Sequence, residues 1–387
     1  MCPFRFSAAK SAGWLRVEIS TSNVWRALRS KENLSLFRLT MIGEQDIIFF
    51  MSRLVTEPAV LDDRPSAFDE AHELIRDDLE KVDQEFRKNL RSSVPIISAI
   101  GEHLLRSGGK RFRAKLLLLS ARLCGYPGEN HTSMAGLIEF IHTATLLHDD
   151  VVDKAQLRRG MESANSKWGN EACVLVGDFL FTKCFTRMVE SGNWKILHTI
   201  SRATTIMAEG ELEELIRTND LSLTEEAYLS IIARKTAYLI SAATQIGAIL
   251  GNVSEEKEEA LAQFGMNVGI AFQVIDDNLD YTSNKSGKKI GIDLQEGKIT
   301  LPLIIALKQC SEEERAFIRA LTDSQPLTEE AFSRVVEMIE QYHGIRYAWE
   351  KARSYVERAK DRLHPFPGSK EKEALCAMAD YVLERRL

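Results

Sequence analysis

The chain has 387 residues, 44% hydrophobic and 27% charged, with a formal net charge of −6. That balance suits a soluble globular protein with a sizeable core and excludes a general nucleic-acid binder, which needs a basic surface. No uninterrupted apolar run approaches the roughly 18 residues of a transmembrane helix.

Residues 1–65 differ from the rest. Arg5, Lys10, Arg16, Arg26, Arg29, Lys31 and Arg38 face only Glu18 and Glu32 among the acids of the first 40 positions, and no helical stripe is sustained. The segment partly fits an organelle transit peptide. The favoured reading is a disordered N-terminal extension, or an upstream start not native to a functional chain beginning near Met41 or Met51. From about Ser66 the apolar positions keep helical spacing, with little period-two alternation. The fold class expected is all-α, one large single-domain bundle over 66–387 around a deep central cavity, because the acidic motifs described below lie far apart and must line one hollow. The six cysteines include no C-x-x-C pair, which reads as reduced thiols in a cytoplasmic protein.

Ile75, Leu79, Val82, Phe86 and Leu90 mark an amphipathic helix. Ser93 with Pro95 starts another, which ends at Ser107-Gly108-Gly109. Lys110, Arg111 and Arg113 follow at a helix entrance. Arginine offers phosphate a planar fork, and lysine offers a point charge.

The run Ile141-His142-Thr143-Ala144-Thr145-Leu146-Leu147 then ends in His148-Asp149-Asp150-Val151-Val152-Asp153. On a helix Asp149 and Asp153 share a face about 6 Å apart along the axis, with Asp150 turned about 100° away. Carboxylates at that spacing repel, so they gain meaning as oxygen ligands for a hard cation. His148 reads as structural, and Arg158-Arg159-Gly160 follows.

Residues 165–260 supply bundle helices. Asp178 reads as internally bonded, and the acidic run Glu211, Glu213, Glu214 reads as a solvated face. Lys235 and Thr236 sit in an apolar helix, where a lysine must reach water or an anion. A second acidic motif closes the next helix: Gln273, Asp276, Asp277 and Asp280 fall on one face. Two facing carboxylate sets suggest a metal-bridged diphosphate between helices. Ser283 to Thr300, with Lys285, Lys288, Lys289 and Lys298, reads as a mobile basic loop that could close as a lid. From Leu301 the helices carry no recognisable chemistry, although Arg385 and Arg386 could fold back toward the site.

These features resemble the trans-isoprenyl diphosphate synthases, most of all the medium- and long-chain polyprenyl type. The resemblance runs from about residue 66 to the C-terminus. It rests on Gly108-Gly109-Lys110-Arg111-Phe112-Arg113, both acidic motifs, Arg158-Arg159-Gly160, Gly177-Asp178, Lys235-Thr236, and Gly291-Ile292-Asp293-Leu294 with Lys298. Many relatives have proline where this chain has Ala114.

The resemblance implies the isoprenoid synthase fold, a homodimer and a prenyltransferase joining isopentenyl diphosphate to an allylic diphosphate such as geranyl or farnesyl diphosphate. It implies metal binding by Asp149, Asp153, Asp276 and Asp280, with about three magnesium ions when diphosphate is bound. Lys110, Arg113, His142 and Arg159 then hold isopentenyl diphosphate. Arg158, Lys235, Thr236, Gln273, Lys289 and Lys298 serve the allylic diphosphate. Asp149, Asp153, Lys235 and Asp276 carry the catalytic burden.

Short-chain relatives put a bulky aromatic near the level of Ala144, about 7.5 Å below Asp149 along the helix axis. Ala144 and Thr145, with Ile141 deeper, leave that floor open here. The product expected is therefore long, about eight isoprene units within roughly six to ten, suited to a quinone side chain. The alternatives are a geranylgeranyl or farnesyl synthase, a terpene cyclase, or a regulatory subunit of the same fold.

Overall fold

The computed structural model describes residues 66–106, 108–158, 160–282, 291–323 and 327–385. The expectations attached to residues 1–65, Arg159, Lys285, Lys288, Lys289 and Arg386 lie outside them. Residues from Pro65 onward form one compact unit.

Helix α1 (Ala67–Leu74) starts in a capping box, Ser66 Oγ accepting from Asp69 N while the Asp69 carboxylate reaches back to Ser66 N. The helix expected from Ile75 to Leu90 is α2 (Arg76–Asn89), parted from α1 at Ile75, where φ is −123°. After α3 (Pro95–Arg106) comes α4 (Phe112–Leu123), entered through Arg111 in the left-handed region at φ 49°.

The first motif closes α5 (Asn130–Val152). A two-stranded hairpin follows, β1 (Leu157–Arg158) antiparallel to β2 (Met161–Glu162). Next are α6 (Ala164–Trp168), α7 (Asn170–Glu190) and α8 (Trp194–Ile216). Helix α9 (Glu225–Ile232) runs into a π-helical turn (Ala233–Ala237) and on into α10 (Tyr238–Leu250).

The second motif closes α11 (Glu255–Thr282). The chain ends with α12 (Ile292–Gln295), α13 (Leu301–Leu307), α14 (Glu312–Asp323), α15 (Glu329–Gln341), α16 (Gly344–Arg362) and α17 (Lys370–Glu384).

Helix α10 packs against α4, α5, α8 and α11, while α7 lies on α5, α16 on α11, and α17 on α1 and α4. The helices bearing the two acidic motifs are therefore inner helices. Their middles are buried on most sides, which is why α5 and α11 read as apolar runs rather than one-sided stripes. Among the described residues no helix is long and apolar enough to cross a membrane.

Candidate active site

The end of α5 separates three carboxylates by role. Asp150 is 1% exposed, and Arg158 Nε and Nη2 both donate to its Oδ1 at 2.7 Å. Its backbone carbonyl accepts Asn165 Nδ2 at 3.0 Å and Ala155 N at 2.9 Å. Asp150 thus ties the hairpin to α5 and fixes Arg158 beside the motif. Asp149 is half-buried, and its carboxyl is pushed up to about 7 by burial, with Glu211 and Asp153 adding repulsion. Asp153 caps the helix and accepts Lys298 Nζ at 3.4 Å.

Lys235 stands on the π-helical turn. Its Nζ bonds Glu211 Oε2 at 2.8 Å and Glu214 Oε2 at 2.6 Å. Burial opposes its charge, but Glu214, Glu211 and Asp149 outweigh burial and hold the ammonium above its ordinary range. A π turn in a helix widens one turn by a residue and re-aims its side chains. Two glycines give it room. A Cβ on Gly210 of α8 would meet Lys235 N at 2.7 Å, and one on Gly269 of α11 would meet Ala237 Cα at 2.5 Å. The acidic run on α8 is therefore not the solvated face its sequence suggests: Glu211 and Glu214 clamp Lys235, and Glu213 pairs with Arg234 at 3.1 Å.

On α11 the carboxylates again divide. Asp277 is 6% exposed and accepts Tyr228 Oη at 2.6 Å and Gln273 Nε2 at 2.7 Å, while Thr236 Oγ1 donates to Gln273 Oε1 at 2.8 Å. Burial pushes the Asp277 carboxyl up to about 7 against those two hydrogen bonds. Thr236 and Gln273 thus join the π turn to the second motif. Asp276 faces Arg385, whose Nη1 lies 2.7 Å from its Oδ1.

Asp280 accepts the N–H groups of Ile292 at 3.2 Å and Asp293 at 3.1 Å. This cap, with Gly291 at φ 76°, orders α12 inside the segment expected to be loop. Lys298 follows, bonding Glu296 Oε2 at 2.7 Å besides Asp153. Lys298 therefore spans from the segment after the second motif to the end of the first.

The remaining cations gather at the entrance of α4. Arg111 pairs with Asp83 at 3.1 Å and with Glu139 at 3.7 Å. Glu139 also accepts the Ala114 N–H at 3.1 Å, a donor that proline at this position would lack. Lys110 donates to the Tyr381 hydroxyl, and Arg113 is half-buried on the first turn of α4. The Phe112 and Phe272 rings lie 5.1 Å apart, joining this entrance to the second motif's helix.

His142 is half-buried two turns before Asp149. His148 stacks on Phe181 and reaches the Val174 carbonyl at 3.1 Å, a structural role, with Asp178 3.6 Å away. Ala144 and Ile141 are fully buried, and Thr145 donates to the His142 carbonyl at 2.8 Å.

The family model described as polyprenyl synthetase matches residues 94–339. The chain belongs to that family. This polyprenyl synthetase is 39% identical over 321 residues to the octaprenyl diphosphate synthase of Haemophilus influenzae, covering 82% of this chain and 97% of that one. It is similar in structure to the polyprenyl synthase of Caulobacter crescentus complexed with calcium and isoprenyl diphosphate, with TM-score 0.80 and 40% identity, covering 84% of this chain and 99% of that one. A decaprenyl diphosphate synthase from Rhodobacter capsulatus gives TM-score 0.78 at 37% identity, covering 82% and 99%. Members of this family are prenyltransferases, and so is this chain.

The donors of the synthetase suit a hard divalent cation. They are carboxylate oxygens, and burial, with repulsion from Glu211 and Asp153 behind it, already lifts Asp149 above its ordinary range. Among the described residues no three such side chains form a ready-made metal cage. Glu211, Glu214 and the π turn are the parts the sequence did not disclose. Arg385 was visible only as a basic residue near the end of the chain.

Proposed function

We propose that this synthetase adds isopentenyl diphosphate head-to-tail to an allylic diphosphate and makes a long all-trans product, octaprenyl diphosphate in the first instance. The carrying observation is the pair of acidic helix ends meeting around Lys235 and Lys298. Lys298 lies 3.4 Å from Asp153 of the first motif and 4.0 Å from Glu214. Lys235 pairs with that same Glu214 at 2.6 Å, and its neighbour Thr236 donates to Gln273 of the second motif at 2.8 Å.

The reaction requires an allylic C–O bond to ionise, and resonance spreads the resulting cation. Negative charge grows on the departing diphosphate. Arg158, Lys235 and Lys298 present fixed positive charge to it, and loss of one such donor commonly costs about 10²–10³ in rate. Magnesium, held by Asp149 and Asp153 on one wall and by Asp276 and Asp280 on the other, would supply the remaining neutralisation. Lys110, Arg113 and His142 orient isopentenyl diphosphate so that its double bond faces the cation. The proton then leaves the adjacent carbon, with the released diphosphate as acceptor.

A homodimer accords with the apolar side chains that α7 and α8 leave exposed. Leu175 is 67% exposed, Trp194 74%, Leu212 60% and Ile216 80%. Assembly in the cytoplasm fits the five described cysteines, all free.

The test is incubation of the purified chain with isopentenyl diphosphate, magnesium and geranyl, farnesyl or geranylgeranyl diphosphate, followed by product sizing. Elongation to a long polyprenyl diphosphate is expected. Hydrocarbon formed from an allylic diphosphate alone would mark a cyclase, and no product from the chain alone would mark a regulatory subunit.

A further inference from the structure

Helices α1 and α17 lie outside the matched span of the family, residues 94–339. Yet they carry a stack that ends on Lys110. The Phe68 and Tyr381 rings are parallel within 23°, with centroids 3.9 Å apart. Lys115 Nζ sits 4.3 Å from the centroid of Phe68. Lys110 Nζ lies 4.8 Å from the centroid of Tyr381 and donates to its hydroxyl.

Lys110 is an exposed lysine just after the turn at Gly108, where φ is 72°. A four-carbon stem there has many rotamers to choose from. The phenol selects one. Packing of α17 on α1 needs only the aromatic ring, whereas the hydroxyl is spent on Lys110. Four residues further on, Arg385 at the C-cap of α17 meets Asp276, so this end of α17 lies beside the second motif.

We propose that Tyr381 is a positioning residue for isopentenyl diphosphate. Its hydroxyl takes one of the three N–H donors of Lys110 and leaves the other two aimed at diphosphate oxygens, while Phe68 holds the Tyr381 ring in place. The inference rests on the reading of Lys110 as a cation for that diphosphate.

The test is a kinetic cycle on the full chain with the variants Tyr381→Phe, Lys110→Ala and their double. Tyr381→Phe keeps the ring and its stack. It is expected to raise KM for isopentenyl diphosphate about three- to tenfold, the worth of one ordinary hydrogen bond. The changes in kcat and in KM for the allylic substrate should be smaller. On the Lys110→Ala background, Tyr381→Phe should add nothing. Calorimetric titration with isopentenyl diphosphate should show the same weakening. Phe68→Leu, which spares the hydroxyl, should raise KM in the same direction by less, and it stands in if Tyr381→Phe does not fold.

Additive effects in the double variant would overturn the proposal, as would an equal change for both substrates. If Lys110→Ala raises KM and Tyr381→Phe does not, the role of Tyr381 fails and that of Lys110 stands. If Lys110→Ala leaves KM unchanged, the underlying reading fails first.

Discussion

Gly210→Ala tests how Lys235 is delivered to the site. Within an exposed helix this change gains about 1 kcal/mol, because glycine is the poorer helix former. Here the new Cβ would lie 2.7 Å from both Lys235 N and Arg234 Cβ. Carbon atoms rest about 3.5–4 Å from their neighbours, so the π turn must retreat by roughly 1 Å. The obstacle is backbone, which cannot swing aside as a side-chain tip can. Overpacking of this kind costs about 1–3 kcal/mol and outweighs the propensity gain. A displacement of about 1 Å at a positioned group can cost about 10² in rate. We expect turnover to fall about ten- to a hundredfold and the unfolding midpoint to drop by a few degrees, at about 2–4 °C per kcal/mol. Initial rates with isopentenyl and farnesyl diphosphates and a thermal melt suffice. A raised midpoint with unchanged turnover would refute the reasoning. Gly269→Ala presses the same turn from α11, its Cβ 2.5 Å from Ala237 Cα, and should act in the same direction.

Asp149→Ala and Asp276→Ala should each lower turnover by at least about 10² with the fold retained; near-normal rates in either purified variant would remove the metal-wall assignment. The Asp149 carboxyl rises from 3.8 to about 7, first by burial and then by Glu211. Between those values the folded chain binds more protons than the unfolded one, so without divalent ions stability should fall as pH rises through that window. After allowance for partial exposure the loss is about 1–3 kcal/mol, and Asp149→Asn should make it shallower, the remainder belonging to Asp277, which burial raises to the same value. Denaturant unfolding at pH 5 and pH 8 decides this; identical slopes in parent and variant would count against it. Ala144→Phe should shorten the product, and an unchanged chain-length distribution by chromatography would exclude the floor argument.

The fold class was legible because apolar spacing is local information. The Ile75–Leu90 stripe, Pro95 and the Gly108-Gly109 stop each fix an element by short-range chemistry. The break at Ile75 and the turn α12 were not legible. Asp280 caps α12 from twelve residues before its start, and such a partner has no periodic signature.

The site divides in the same way. Spacing alone turned Asp150 away from Asp149, and it is the buried anchor of Arg158. Spacing could not find the clamp on Lys235. Glu211 and Glu214 read as solvent-facing because their partner is brought to them by a π turn that needs Gly210 and Gly269 at once. A run of acids counts as a solvated face only until a buried cation from another helix is placed against it.

The two proposed substrate regions also differ in sign. Around Lys235 and Lys298 stand Asp149, Asp153, Glu211, Glu214 and Glu296, and both lysines are already paired. At the α4 entrance Lys110 meets a neutral phenol, while the acids Asp83 and Glu139 are engaged by Arg111. A diphosphate arriving alone is repelled by the first region and attracted by the second. Chelation of divalent ions should therefore abolish binding of the allylic diphosphate and leave that of isopentenyl diphosphate changed by less than about threefold, below 1 kcal/mol. Calorimetry of each substrate with and without chelator measures this, using a non-ionisable thio analogue of the allylic partner. Equal loss of both would mean that the entrance cations do not hold a diphosphate unaided, and the division of Lys110 and Arg113 from Lys235 and Lys298 would have to be withdrawn.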